Sequence, residues 1–255
     1  MSKLTVSDVT KIFPGRTADD SVLVLKNVSF TVEHNEFCSL LGHSGCGKTT
    51  LLNMMAGFEL ATRGEILLDE KPVGRPGWEK AVIFQDYALF SWMTVRQNIE
   101  FGLEMKKIPR AGRASSVKQH IQLVGLVGFE DRYPHQLSGG MRQRVAIARA
   151  LAIDPLVLLM DEPFAALDAQ NRTLMQNEMV RIWQTERKTV VLVTHSIEEA
   201  IAVSDRIIVM TRRPGQVKEN IVVDLPRPRD EDDPKVIALK KHIRNLIHDE
   251  FEVEK

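Results

Sequence analysis

A glycine-rich segment at residues 42–49 constrains the fold of this chain more than any other feature. It matches the pattern G-x-x-x-x-G-K-[ST] without a mismatch. An apolar run, 37–41, precedes it, interrupted only by Ser39, and residues 49–55 after it have helical composition. A chance match is expected in about one chain in a hundred of this length. Strand, loop and helix in this order are typical of a nucleotide-binding unit.

The chemistry of such a loop follows from its residues. Glycines let consecutive backbone N–H groups converge on a polyphosphate, and the start of the following helix adds a favourable dipole. Lys48 is expected to reach the outer phosphates and the Thr49 hydroxyl to hold Mg²⁺. The nucleotide-binding residues predicted here are Gly42, His43, Ser44, Gly45, Cys46, Gly47, Lys48, Thr49 and Thr50.

Composition excludes several classes of protein. The 255 residues carry 34 Lys and Arg against 34 Asp and Glu, so the cationic excess of a nucleic-acid binder is missing. Apolar runs are far shorter than the roughly 18 residues that cross a bilayer. The first residues do not resemble a signal peptide, and we expect a cytosolic chain. Cys38 and Cys46 are expected to be small apolar fillers in a reducing compartment.

The order of apolar patterns predicts an α/β fold. Alternation in residues 1–35 indicates an antiparallel sheet, with runs at 22–25 and 28–32 on either side of Lys26 and Asn27. Residues 94–153 have helical patterns and interrupt a series of strands. The strands are predicted at 64–69, 81–84, 156–160, 190–193 and 206–210, and an amphipathic terminal helix at 236–251.

Two strand ends carry polar residues suited to catalysis. Asp161 and Glu162 end an apolar strand, where bare charge is costly unless a cation or a proton transfer uses it. Asp161 is expected to serve Mg²⁺ and Glu162 to polarise a water against the terminal phosphate. His195 follows another apolar strand and is expected at the same sheet edge, where α/β folds collect ligands.

A second anion-binding segment distinguishes among nucleotide-binding families. Residues 137–144 place Ser138 and two glycines at the opening of a helix. One nucleotide has one set of phosphates, and Lys48 and Ser138 lie about 90 residues apart. The second segment is therefore expected to close on a nucleotide held by another copy of the fold.

Together these features resemble the ATP-binding cassette (ABC) family over nearly the whole chain. Besides the two glycine-rich segments, the family order is kept by Gln85 (Q-loop pattern), Asp161-Glu162 (Walker B), Asp168 after Ala166-Leu167 (D-loop) and His195 (switch histidine). The resemblance implies a P-loop NTPase (RecA-like) core with an N-terminal antiparallel β-subdomain and an inserted α-helical subdomain. It implies an ATPase that uses ATP and Mg²⁺.

Residue roles are carried over by the same resemblance. It implies that Gln85 senses Mg²⁺ and the attacking water, that Glu162 is the catalytic base and that His195 grips the γ-phosphate. Ser138 and Gly140 complete the site of the opposite subunit, and Asp168 belongs to the nucleotide site. Phe13 resembles the aromatic residue that stacks on adenine, although a Phe on such a strand is also a common core or edge filler.

The resemblance also implies domains and partners. Residues 1–225 form the nucleotide-binding domain, with the helical subdomain inserted at about 88–155, and residues 226–255 form a C-terminal helical tail. Residues 87–95 are rich in aromatic side chains, which either pack internally or receive a helix of a membrane subunit.

Residues 90–98, 213–215 and 224–230 resemble the branch that imports nitrate, sulfonate, taurine or bicarbonate. A second ABC subunit, identical or a paralogue, a transmembrane permease and, indirectly, a periplasmic solute-binding protein are then the partners. The chain would lie at the cytoplasmic face of the inner membrane.

Two other functions stay open at the level of sequence. A non-transport cassette ATPase acting on nucleic acid or ribosomes usually has two cassettes or a long coiled coil, and neither pattern is present here. A regulatory subunit that barely hydrolyses ATP is the second. Arg142, Arg144 and Arg149 are expected to form charge pairs on a helix surface rather than to bind nucleic acid.

Overall fold

The structure, a computed structural model, describes residues 3–15 and 20–248. The chain divides into two compact units, the first combining residues 1–77 with 188–255 and the second spanning 78–187. The strands are β1 (Leu4–Phe13), β2 (Val22–Val32), β3 (Phe37–Leu41), β4 (Arg63–Leu68), β5 (Lys71–Pro72), β6 (Lys80–Ile83), β7 (Val157–Asp161), β8 (Thr189–Thr194), β9 (Arg206–Met210) and β10 (Val217–Val222). The α-helices are α1 (Lys48–Ala56), α2 (Val95–Met105), α3 (Arg110–Leu123), α4 (Gly139–Ala152), α5 (Ala169–Glu186), α6 (Ile197–Val203) and α7 (Pro234–His248), and a 3₁₀ turn covers Pro134–Gln136.

The first unit contains an antiparallel sheet in the order β2-β1-β4-β5. The expected antiparallel sheet is confirmed, and the two apolar runs on either side of Lys26 and Asn27 lie on one strand. Both runs belong to β2, which bulges there. The partner of Leu25 is Lys11 and the partner of Val28 is Val9, so β2 accommodates one extra residue. The pattern breaks at the bulge because the extra residue shifts the alternation of faces.

The same unit contains the strands that carry the phosphate loop. β3 pairs in parallel with β8 and β9, and β10 joins β9 in the antiparallel sense. Every side chain of β3 and β8 is buried, which explains why both strands are mostly apolar, with Ser39 in β3 and a threonine at each end of β8. Helices α6 and α7 pack on this sheet through a cluster that includes Leu41, Ala200, Val236 and Ile243. Strand β10 has no counterpart among the predicted strands, because its sequence mixes charged and apolar residues.

The second unit combines the parallel pair β6–β7 with helices α2 to α5. The helices predicted between residues 94 and 153 are confirmed as α2, α3 and α4. In the first unit, α7 is described over Pro234–His248, and the rest of the predicted terminal helix lies outside the described residues. Within residues 3–15 and 20–248, no helix is long and apolar enough to span a membrane. Cys38 and Cys46 are buried free thiols, as expected of apolar fillers.

Candidate functional site

The phosphate loop connects β3 to α1 in the first unit. Gly47 is the residue before α1 and has φ +102°, a backbone region that favours glycine. Gly45 also has a positive φ, +79°. No side chain caps the start of α1, and its first helical bond runs from the Leu51 N–H to the Gly47 oxygen. The N–H groups of the first helical turn therefore lack acceptors within the helix, as an anion-binding helix start requires.

Lys48 places a cation inside this loop. Its side chain is buried, and Nζ donates hydrogen bonds to the carbonyl oxygens of Gly42 (2.7 Å) and His43 (2.8 Å). Ser44 and Thr49 are exposed beside it and offer hydroxyl groups. An ammonium group, hydroxyls and the start of a helix are the donor set that a polyphosphate requires, so the residues present fit a nucleotide.

His195 leaves the sheet beside the phosphate loop. Strands β3 and β8 are parallel, and Leu41 pairs with Thr194. The next residues along each strand are Gly42 and His195, so both begin at the same edge and at the same level. The position of His195 directly after a buried parallel strand agrees with the sequence prediction. His195 is exposed.

A small hydrogen-bond network holds the turn at His195. The Thr194 hydroxyl donates to the carboxylate of buried Glu199 at 2.5 Å and accepts from the Ser196 N–H at 3.0 Å. The Ser196 hydroxyl accepts from the Glu199 N–H at 3.1 Å and thereby caps α6. The residues on both sides of His195 are thus fixed to the first turn of α6.

Phe13 ends β1 and is 37% exposed. The ammonium group of Lys11 lies 4.7 Å from its ring centroid and also bonds to the Glu59 carboxylate and the Leu60 carbonyl oxygen. A cation–π contact of this kind occupies one face of the ring. Any base stacked on Phe13 therefore has the other face available, and the adenine contact stays a prediction.

The second unit brings Gln85 together with the acidic pair. Strands β6 and β7 are parallel, and Ile83 pairs with Met160. Asp161 and Glu162 leave one strand where Phe84 and Gln85 leave its neighbour. Glu162 has φ +46°, uncommon for a residue with a side chain. Such backbone strain, roughly 1–3 kcal/mol, is typical of functional positions.

Ser138 and Gly140 lie at the start of α4, also in the second unit. The Ser138 hydroxyl accepts a hydrogen bond from the Met141 N–H at 3.3 Å and is the N-cap of the helix. A Cβ on Gly140 would meet nothing within 4 Å, so open space faces this turn. The arrangement offers backbone N–H groups and a hydroxyl to an external anion, as the sequence predicts.

Arg142 and Arg149 of α4 bind backbone carbonyl oxygens, and the expectation of charge pairing on the helix surface is wrong for both. Arg149 donates to the carbonyl oxygens of Tyr87 (3.0 Å) and Ala88 (2.6 Å). Arg142 donates to the Leu137 oxygen at 2.7 Å and lies 5.9 Å from the centroid of the Tyr87 ring. Every residue has a backbone carbonyl oxygen, so the sequence does not indicate which of them these arginines bind.

The aromatic segment divides between two environments. Tyr87 is buried, whereas Trp92 is 69% exposed. Phe90 lies between them in sequence. Its ring centroid is 5.5 Å from that of Trp92 and 4.6 Å from that of Phe101. Internal packing therefore accounts for one end of the segment, and the other end presents an indole to the surroundings.

Asp168 is the N-cap of α5. Its carboxylate accepts hydrogen bonds from the backbone N–H of Asn171 at 3.0 Å and from the Asn171 side chain at 2.6 Å. These bonds lower the pKa of Asp168. Its place in a nucleotide site stays a prediction, because the carboxylate serves the helix here.

The described residues contain no cluster of three or more His, Cys, Asp or Glu side chains able to hold a metal. Mg²⁺ in nucleotide sites is commonly held by one or two protein oxygens together with phosphate oxygens. The Thr49 hydroxyl, the Gln85 amide oxygen and the Asp161 carboxylate are oxygen donors of that type, so the donor chemistry suits Mg²⁺ bound with a nucleotide.

Comparison with known proteins agrees with this geometry. The parallel strands with their glycine-rich loop define the P-loop NTPase fold. A solved structure titled as a dimeric post-hydrolysis state of the ATP-binding cassette MJ0796 bound to ADP and Pi superposes with a TM-score of 0.74, at 30% identity, covering 88% of this chain and 100% of that one. The sequence profile described as ABC transporter matches residues 25–165. The chain belongs to the ABC transporter family and is an ATP-binding, ATP-hydrolysing member of it.

Two curated relatives extend the similarity to nearly the whole chain. The uncharacterized ABC transporter ATP-binding protein MJ0412 of Methanocaldococcus jannaschii is 52% identical over 97% of this chain and 92% of its own length. The nitrate import ATP-binding protein NrtD of Synechocystis is 43% identical over 91% of this chain and 86% of its own length. The family prediction is confirmed, and the similarity includes an importer ATPase, as the resemblance implied.

Proposed function

We propose that this chain is the ATP-hydrolysing subunit of an importer that takes up a small anion of the nitrate, sulfonate, taurine or bicarbonate type through a separate permease. The observation that carries the proposal is the pairing of β3 with β8, which starts the phosphate loop and the His195 turn at one sheet edge. Membership of the family and 43% identity to a nitrate importer ATPase support it. The chain acts as a peripheral protein at the cytoplasmic face of the membrane.

The phosphate loop and Lys48 bind the triphosphate. Backbone N–H groups at the start of α1 contact the phosphates, and Lys48 exchanges its bonds to Gly42 and His43 for phosphate oxygens. Thr49, Gln85 and Asp161 would hold Mg²⁺, which would neutralise charge on the phosphates. Phe13 stacks on the base through the ring face opposite Lys11.

The residues that follow the strands, Glu162, Gln85 and His195, carry out hydrolysis. The Glu162 carboxylate accepts a proton from the water that attacks the terminal phosphate. Gln85 orients that water, and His195 donates a hydrogen bond to the γ-phosphate. The hydrogen bonds of Thr194, Ser196 and Glu199 hold His195 in place for this contact.

The exposed start of α4 belongs to the site of a partner cassette. Ser138 is exposed, and open space faces Gly140. The phosphate loop of the same chain, with Lys48, binds the phosphates of a different nucleotide. Two cassettes therefore sandwich two nucleotides, each held by Lys48 of one subunit and Ser138 of the other. Asp168 lies near this junction. Closure and opening of the pair drive the permease.

Trp92 is the contact we assign to the permease. Its indole is exposed, and it sits on a segment tied through Tyr87 and Ala88 to α4, the helix that begins with the Ser138 turn. Exposed aromatic side chains are enriched at the centres of protein interfaces. A periplasmic solute-binding protein delivers the anion to that permease without touching this chain.

The experiment is reconstitution of the chain with a candidate permease and a candidate solute-binding protein in proteoliposomes. We expect ATP hydrolysis to rise when nitrate, an alkanesulfonate, taurine or bicarbonate is present and not with an amino acid or a sugar. Trp92→Ala is expected to reduce co-purification with the permease, whereas Leu174→Ala, another exposed apolar side chain of the same unit, is the matched control. Stimulation by a sugar alone, or an ATPase that needs DNA or ribosomes, would contradict the proposal.

A further inference from the structure

The C-terminal segment, residues 224–248, fastens the helix that follows His195. Two arginines of this segment bind the carbonyl oxygens at the end of α6. Arg227 donates to Val203 at 2.7 Å, and Arg229 donates to Ile201 and to Ser204, the latter at 2.6 Å. Cations are favoured at a helix C-terminus, where these carbonyl groups have no partner within the helix.

Arg229 binds further carbonyl oxygens besides those at the end of α6. It also donates to the carbonyl oxygens of Val223 and Leu225, both at 3.1 Å. Burial lowers the pKa of its guanidinium to about 10, and repulsion from Arg227 adds to the effect. The carbonyl oxygens around this partly buried guanidinium stabilise its charge.

The other end of α6 is held by α7. Lys240 forms an ion pair with Glu198 at 2.6 Å, and the Ser196 hydroxyl donates to the same carboxylate at 3.2 Å. Ser196 follows His195 directly and caps α6 through the Glu199 N–H. The Lys240 ammonium group is thus linked through the Glu198 carboxylate to Ser196, the residue that follows His195.

The last turn of α7 reaches the phosphate loop. The Ile247 carbonyl oxygen lies 3.3 Å from Nε2 of His43, the second residue of that loop. A carbonyl oxygen only accepts, so this hydrogen bond requires the His43 tautomer with the proton on Nε2. The neighbouring carbonyl of Leu246 accepts from Lys218 of β10 at 2.6 Å. This end of α7 is therefore bound to the loop and to the sheet.

Apolar burial fixes α7 in this position. Val236 is 6% exposed and Ile243 is fully buried, and both belong to the cluster that includes Leu41, the residue before the phosphate loop. Leu239 and Leu246 pack against the same cluster. Side chains seven residues apart share one helix face, so α7 is held along its length.

We propose that the C-terminal segment, residues 224–248, acts as a brace that sets the positions of His195 and of the phosphate loop for ATP hydrolysis. Lys240 and Arg229 are its positioning residues, and its contact with the loop is the one between the Ile247 oxygen and His43. The proposal rests on the role assigned above to His195. It gives residues 224–230, which resemble the importer branch, a task in hydrolysis rather than in solute recognition.

The first test is a double-mutant cycle on the ion pair. Lys240→Met and Glu198→Gln, alone and together, are compared with Lys241→Met, whose side chain is exposed on the same helix. Each single variant is expected to lower kcat about two- to fivefold, the range open to a partly exposed pair, and to leave KM for ATP within about twofold. The double variant is expected to fall no further, because the same contact is lost.

A second measurement follows the contact at His43. Hydrogen exchange of residues 240–248 is recorded in the full chain with and without a slowly hydrolysed ATP analogue and Mg²⁺. Binding is expected to slow exchange in the wild-type chain and in His43→Gln, which keeps a donor, but not in His43→Leu. Equal slowing in the Leu variant would show that the loop does not act on α7 through this bond.

His195→Ala, measured in parallel, separates the two proposals. Loss of hydrolysis in His195→Ala together with wild-type kcat in Lys240→Met and Glu198→Gln would overturn the brace alone. Wild-type hydrolysis in His195→Ala would overturn the role of His195 and the brace with it. A lower melting temperature in the ion-pair variants with unchanged kcat would show a merely structural contact, and the brace would again be wrong.

Discussion

Gly47→Ala perturbs the residue on which the phosphate loop turns. Gly47 has φ +102°, where a side chain costs about 1–2 kcal/mol. An added Cβ would lie 2.7 Å from Cδ2 of Leu25 and 3.0 Å from Cγ1 of Val24. Leu25 is fully buried, and overpacking of this kind costs about 1–3 kcal/mol. The free energy of unfolding should therefore fall by about 2–5 kcal/mol.

Gly45→Ala is the matched control, because Gly45 also has a positive φ but its Cβ would meet nothing within 4 Å. Only the backbone cost applies there, about 1–2 kcal/mol. Urea unfolding of both variants and of the wild type, without nucleotide, gives the two losses. Equal losses in the two variants would show that contact with Leu25 and Val24 does not add to the cost at Gly47. An unchanged stability of Gly47→Ala would refute the backbone argument as well.

Three further predictions concern other parts of the chain. Lys48→Ala should abolish detectable ATP binding in calorimetry, because the loop loses its buried cation; binding within threefold of the wild type would contradict this. Asn98→Ala should lower the free energy of unfolding by about 2–4 kcal/mol in urea, since the buried amide bonds to the backbone of Phe90, Met93 and Thr94; Gln97→Ala, in the exposed capping box of the same helix, should cost less. Burial raises the pKa of both thiols, Cys38 and Cys46, so a thiol reagent at pH 8 should label them only after denaturation, and rapid labelling of the native chain would be the contrary result.

The parts of the fold that the sequence predicts are those set by short segments. The strand, loop and helix at residues 37–56 follow from an apolar run, spaced glycines and a helical composition. The helices between 94 and 153 follow from their period. The parallel strands before His195 and Asp161 could be read in the same way, because strands buried on both faces leave uninterrupted apolar runs.

The rest depends on contacts between distant residues. The bulge at Asn27 is set by the pairing of β2 with β1, which a single strand does not reveal. Arg149 binds the backbone of Tyr87 and Ala88, and a carbonyl group is the same whatever residue carries it. The bond from His43 to the Ile247 oxygen joins residues about two hundred positions apart. Sequence spacing gives no account of such pairs.

The central claim is that Lys48 and Ser138 of two different subunits enclose one nucleotide. The most direct measurement is the mass of Glu162→Gln in light scattering with saturating ATP and Mg²⁺, because a variant without the proposed base is expected to bind ATP without hydrolysing it. We expect a species near twice 28.8 kDa, and a single-chain mass when Ser138→Arg is added. A mass of 28.8 kDa for Glu162→Gln with bound ATP, also in the presence of the permease, would contradict it.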